Sequence, residues 1–160
     1  MQIDIFTTGG TIDKIYFDDK SDYQVGQPVI GDLLKREKVA FDFTVTSLMK
    51  KDSLHMDDAD RNTVREAVAG CSANHVLITH GTDGMVNTAK ALRGIADKTI
   101  VLTGSLSPAA FQHSDAIFNI GCAIGAVQAM PPGVYIAMNG KVFAADKVRK
   151  NVEANRFEAL

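Results

Sequence analysis

At 160 residues the chain has the size of one domain and is long enough to bury a substantial core. Its 46% apolar and 22% charged residues and its net charge of −2 give no basic footprint for nucleic acid and no apolar run that could span a bilayer. The opening Met1-Gln2-Ile3-Asp4 lacks the basic start and apolar stretch of a secretory signal, so a cytoplasmic location is expected. Cys71 and Cys122 lie far apart with no metal-ligand spacing, which predicts two reduced core thiols.

In chain order, the first strand-like run is Gln2–Phe6, and it leads into Thr8-Gly9-Gly10-Thr11. The polar stretch from Asp13 to Gln27, with Tyr16, Phe17 and Tyr23 in it, shows no clear period and is expected to be an irregular lid or binding loop, with a mobile surface hairpin as the alternative. A short helix over Gly31–Arg36 and a strand over Phe41–Ser47 follow, then Lys51-Asp52-Ser53. A helix over Asp58–Ala69, capped by Asp57 or Asp58, carries Val64, Ala67, Val68 and Cys71 on one face. The apolar run His75–Thr79 enters His80-Gly81-Thr82-Asp83-Gly84 and precedes a helix over Met85–Gly94. The strand Thr99–Thr103 ends in Gly104-Ser105, and a helix over Asp115–Met130 begins after Ser114 as its cap. That helix repeats Ile117, Ile120, Ile124 and Val127, with Gly121, Gly125 and Ala129 expected to let it approach the sheet closely. The last run is Gly133–Met138. Alternating strands and helices with near-continuous apolar strands predict an α/β fold, a three-layer flavodoxin-like domain with helices on both faces of a mostly parallel sheet.

Parallel strands share a direction, so the loops bearing Thr11, Ser53, Thr82 and Ser105 fall at one sheet edge, where open α/β sheets bind ligands. Several chemistries are missing their signatures. Gly9-Gly10-Thr11 is not the Gly-x-Gly-x-x-Gly of a dinucleotide site, and no Gly-Lys-Ser/Thr phosphate loop or Gly-x-Ser-x-Gly elbow occurs. A flavin ring would be stacked on aromatics, yet the chain has no Trp and 3 Tyr. His55, His75, His80 and His113 lack paired metal spacing and are expected to be structural. No metal and no cofactor are expected.

Thr8-Gly9-Gly10-Thr11-Ile12 and His80-Gly81-Thr82-Asp83 resemble the two signature motifs of the bacterial-type L-asparaginase/glutaminase family. The likeness continues in order through Ser21-Asp22-Tyr23-Gln24-Val25-Gly26, Lys51-Asp52-Ser53, Thr103-Gly104-Ser105, Ser114-Asp115, Lys150 and Arg156-Phe157-Glu158-Ala159-Leu160, and so covers the whole chain. The resemblance implies an amidohydrolase in which Thr11 attacks a side-chain amide, forms an acyl-enzyme and releases ammonia. It assigns Tyr23 to a lid near Thr11, and Thr82, Asp83 and Lys150 to a second polar relay. It also places the substrate on Gly10, Ser53, Gly81, Thr82 and Asp83, with Ser53 on the α-carboxylate and Asp83 on the ammonium. Backbone N–H groups near Gly10 and Thr82 would hold the oxyanion, and Thr11 and Thr82 should face one cavity near Lys150.

Family members are about twice as long and carry a second, smaller domain, which is expected to be absent here over residues 1–160. Leu54 stands where many members have a polar residue that helps to bind the amino group. Three readings remain open at this point: an amidohydrolase for asparagine or a related small amide, a non-catalytic amino-acid-binding or regulatory module, and an amidohydrolase for a different amide. Association into a homodimer or larger is expected, with a small-molecule amide as partner and neither nucleic acid nor membrane.

Overall fold

The computed structural model describes residues 1–160. Its strands are β1 (Gln2–Gly9), β2 (Lys14–Phe17), β3 (Asp22–Val25), β4 (Asp42–Lys51), β5 (His75–Thr79), β6 (Thr99–Thr103), β7 (Gly133–Met138), β8 (Lys141–Ala144), β9 (Val148–Asn151) and β10 (Arg156–Ala159). The helices are α1 (Ile30–Arg36), α2 (Asp58–Gly70), α3 (Met85–Ala91) and α4 (Ala116–Ala129). Six strands form the central sheet in the order β4-β1-β5-β6-β7-β8. All neighbours pair in parallel except β7 with β8. Counting only the parallel strands, the order is 2-1-3-4-5, the flavodoxin-like arrangement whose switch point lies between β1 and β5.

Alternation along each strand divides the core into two layers. Ile3, Ile5, Leu77 and Val101 pack with Ile30 and Leu34 of α1 and Ile120 and Val127 of α4. Phe6, Val76, Ile78, Ile100 and Leu102 pack with Val64 and Val68 of α2 and Met85 and Ala89 of α3. Each such aliphatic side chain, fully withdrawn from water, contributes roughly 1.5–3 kcal/mol. Asp57 caps α2 as expected, accepting from the Asp60 N–H at 2.9 Å while Asp60 accepts from the Asp57 N–H at 3.1 Å, a reciprocal capping box.

Several expectations need correction. The Asp13–Gln27 segment is not irregular: β2 and β3 form an antiparallel hairpin that pairs Tyr16 with Tyr23 and Lys14 with Val25. Gly121 and Gly125 have open space where a Cβ would stand, so they and Ala129 line the solvent face of α4 rather than the sheet. Ile117 is likewise 46% exposed. Two further pieces lay outside the sequence reading: β8, and the β9–β10 hairpin. Asn139 and Gly140 (φ +54° and +73°) turn β7 into β8, a two-residue turn whose backbone suits this pair. Val148 and Phe157 anchor the β9–β10 hairpin on the α2–α3 side of the core. Cys71 and Cys122 are unbridged and half-buried.

Candidate active site

The loops after β1, β4, β5 and β6 lie at one edge of the parallel sheet and pack closely there at glycines. Gly10 has φ +87°, a left-handed conformation open to glycine, and a Cβ there would lie 2.5 Å from the Gly81 N and Cα. The loop bearing Thr11 therefore rests directly on the loop bearing Thr82. Gly81 in turn abuts Ser53, whose Oγ would be 2.5 Å from a Cβ at that position. The Ser53 Oγ accepts from the Gly84 N–H at 2.9 Å, which leaves its own proton to donate elsewhere. On the floor of the switch point, the Thr8 hydroxyl donates to the Thr79 carbonyl at 3.0 Å and ties β1 to β5.

Thr11 opens a single 3₁₀ turn, Thr11–Asp13. The residue is half-buried, and its hydroxyl has no hydrogen-bond partner within the chain. The backbone N–H groups of Thr11 and Thr82 are also unengaged, whereas the Gly10 N–H is used, donating to the Lys51 carbonyl at 2.9 Å. Unengaged donors on adjoining loops can receive a developing oxyanion, so Gly10 contributes its shape rather than its N–H.

Lys150 arrives from β9, held by its pairing with Phe157 on β10. Its Nζ donates to Thr82 Oγ1 at 2.8 Å and to Asp83 Oδ1 at 2.7 Å. The Lys150 side chain is only 14% exposed, against 39% for Asp83. The chain thus brings together three residues that are 67 and 68 positions apart. Because Thr82 Oγ1 accepts from the ammonium, its own proton is left to be donated away from Lys150.

Tyr23 stands on the exposed hairpin. Its ring meets Tyr16 at 5.4 Å and Phe111 at 5.7 Å between centroids, both edge to face, and its hydroxyl makes no hydrogen bond to Thr11. Neither Thr11 nor Thr82 lines any of the five cavities of the molecule. No group of three or more His, Cys, Asp or Glu is placed to hold a metal ion.

Two titratable groups support this floor. His80 is fully buried, with Nδ1 2.7 Å from the Gly81 carbonyl and Nε2 2.8 Å from Thr88 Oγ1. A carbonyl can only accept, so these partners assign Nδ1 as donor and Nε2 as acceptor in a neutral ring. Burial pushes its pKa down to about 4. Asp13 went unremarked in the sequence, since nothing in its spacing sets it apart from the charged stretch that follows. It is buried at the root of the hairpin, where its Oδ1 accepts from the Val29 N–H at 3.0 Å. Its carbonyl accepts from the Gly26 N–H at 2.8 Å, while its Oδ2 has no partner. Burial pushes its pKa up to about 6.

Fold and site together define a flavodoxin-order α/β protein with a threonine hydroxyl at the switch point and a lysine–threonine–aspartate cluster on the adjoining loop. The model of the asparaginase amino-terminal domain matches residues 2–160, and the chain belongs to the asparaginase family. It is 38% identical over 94 residues to a glutaminase-asparaginase of Acinetobacter glutaminasificans, covering 56% of this chain and 28% of that protein. A probable periplasmic L-asparaginase of Haemophilus influenzae is 31% identical over 159 residues, covering 92% and 46% of the two chains. Among solved structures, the thermostable L-asparaginase of Thermococcus kodakarensis superposes with a TM-score of 0.82 at 24% identity, over 100% of this chain and 51% of that one. A probable cytoplasmic L-asparaginase of Campylobacter jejuni gives 0.81 at 28% identity, over 99% and 51%. The chain therefore spans about half the length of the solved relatives it matches. No helix is long and apolar enough to cross a membrane.

Proposed function

We propose that this chain carries an amidohydrolase site that cleaves a small side-chain amide such as that of L-asparagine, yielding aspartate and ammonia, with Thr11 as nucleophile. The observation that carries the reading is the Lys150 ammonium within 2.8 Å of Thr82 Oγ1 and 2.7 Å of Asp83 Oδ1, on the loop against which the Thr11 loop is packed. Thr11 Oγ attacks the amide carbonyl while the unengaged Thr11 and Thr82 N–H groups hold the oxyanion. The Thr11 proton passes to the departing nitrogen, which leaves as ammonia. Water then cleaves the ester and restores the hydroxyl. Thr82 relays protons on the open side, with Lys150 behind it as donor and Asp83 as counter-charge. Tyr23 on the hairpin covers the reacting hydroxyl once substrate is bound.

Substrate binding follows from the same groups. Ser53 has a proton to donate to an α-carboxylate, and the second carboxylate oxygen of Asp83 remains for an ammonium. A homodimer or larger assembly belongs to the proposal, supported by Ile117 and Phe118, which stand 46% and 62% exposed on α4. Ammonia release from asparagine by the wild-type chain and by Thr11→Ala and Lys150→Met tests the reading. Losing a nucleophile or its proton relay should lower turnover by about a hundredfold or more with an unchanged melting temperature. Near-wild-type release from either variant refutes the assignment. Saturable amino-acid binding without release by the wild type would instead favour a binding module.

A further inference from the structure

We propose that Phe111 is a positioning residue that holds Tyr23, and with it the β2–β3 hairpin, against the body of the protein at the site mouth. The inference rests on the amidohydrolase reading only where it concerns turnover.

At its root the hairpin is firmly held. The Asp13 carbonyl accepts from the Gly26 N–H, Lys14 Nζ pairs with Asp52 Oδ2 at 3.1 Å, and Val25 packs beside Gly9. Farther out, Tyr16 and Tyr23 oppose one another across the hairpin, so their contact travels with it. The aromatic link from there to the body is Tyr23 on Phe111, with centroids 5.7 Å apart and rings at 68°.

Phe111 sits on an unusually well-braced loop. The Asp115 carboxylate accepts from the Leu106 N–H at 2.9 Å, the Ser107 N–H at 3.0 Å and the Asn119 Nδ2 at 2.9 Å. The Phe111 N–H donates to the Pro108 carbonyl at 3.0 Å. In the same loop the Ala109 N–H donates to the carbonyl of Ile12 at 3.1 Å, and Ile12 follows Thr11. The loop that carries the ring meeting Tyr23 is thus tied to the turn that carries Thr11. Phe111 is 44% exposed, more than burial alone would favour for a phenylalanine, and its edge-to-face pairing supplies the reason for an aromatic there.

The test compares Phe111→Ala with Phe111→Tyr, which keeps a ring; the exposed position makes both compatible with folding. The first readout is amide hydrogen exchange. An edge-to-face pair stabilises by an amount that corresponds to roughly a two- to tenfold change in the opening equilibrium. Amides between Lys14 and Val25 should exchange faster by that factor in Phe111→Ala and at the wild-type rate in Phe111→Tyr, with β5 amides unchanged in both. Equal hairpin exchange in Phe111→Ala and wild type overturns the proposal. The second readout is kcat, expected to fall by a similar factor in Phe111→Ala and to recover in Phe111→Tyr. An unchanged kcat in Phe111→Ala, with an active wild type, overturns the positioning role. If Thr11→Ala retains activity or the wild type has none, the amidohydrolase reading fails, and the exchange experiment still decides whether Phe111 holds the hairpin.

Discussion

Replacing Asp13 with asparagine should alter how stability depends on pH more than it alters stability at any one pH. In the folded chain Asp13 holds its proton up to about pH 6, against an ordinary value of 3.8. The folded state therefore binds more protons than the unfolded one between those values. The stabilisation from this group is complete below the unfolded value and is lost as pH rises through about 6. His80 has the opposite sign, since it stays neutral down to about pH 4 against an ordinary 6.5. Its stabilisation is complete above the unfolded value and is lost as pH falls through about 4. Each shift exceeds two pH units, so each contributes about 3 kcal/mol at the favourable end of its range. Across pH 4 to 6 the two slopes largely cancel in the wild type. Asparagine keeps an acceptor for the Val29 N–H and removes only the titration, exposing the His80 slope. Urea unfolding at half-unit steps from pH 4 to 7 measures this, because other carboxylates contribute alike to both proteins and drop out of the difference. The gap in unfolding free energy between wild type and Asp13→Asn should shift by about 2 to 2.5 kcal/mol over that range, in favour of the variant at the higher pH. A gap constant to within about 0.5 kcal/mol would mean that the carboxyl titrates normally in the folded state and that its burial is not felt as a charge penalty.

Gly10→Ala should destabilise the chain by about 3 kcal/mol or more, from the left-handed conformation and from a methyl driven into Gly81, and should abolish ammonia release; denaturant unfolding checks the first effect. Light scattering at micromolar concentration should give the mass of a dimer or larger, and a strictly monomeric mass would count against an assembly built on the exposed face of α4.

The five parallel strands were legible because a strand buried on both faces must be apolar almost throughout, as in Val76-Leu77-Ile78 and Ile100-Val101-Leu102, all completely buried. The loops that follow them could then be assigned to one edge by direction alone, and Gly10, Gly81 and Ser53 lie there in contact. The β2–β3 hairpin was legible only as the alternative to an irregular lid. Ile15, Tyr16, Phe17 and Tyr23 are all at least 40% exposed, so neither face carries the alternation by which a half-buried strand declares itself. In α4, counting apolar residues overestimated the buried face: Ile117 and the small residues looked core-facing, yet the helix has more apolar surface than the sheet beneath it covers. The missed β7–β8 turn did have a signal, Asn139-Gly140 between apolar runs. Asp13 had none, because its burial comes from the packing of the hairpin root and not from its neighbours in sequence.

The site divides into parts that the fold holds with different firmness. Thr11 and Thr82 belong to loops flanking the switch point, and their relative position follows from two adjacent core strands and a backbone contact at Gly10 and Gly81. Lys150 and Tyr23 come from two-stranded hairpins, which have little stability of their own and depend on what they pack against. For Lys150 that support is buried, because Val148 and Phe157 flank it in the core, and the lysine is correspondingly already engaged with Thr82 and Asp83. Tyr23 instead relies on the exposed ring of Phe111, and its hydroxyl has no polar partner. On the proposed reading, Lys150 serves the proton transfers and gains from being held in place, whereas Tyr23 must let substrate pass beneath it and gains from a contact weak enough to break. The buried lysine hairpin and the exposed tyrosine hairpin match those two requirements, so loss of the Phe111 contact should act on the closing of the mouth and leave the Lys150–Thr82–Asp83 cluster in place.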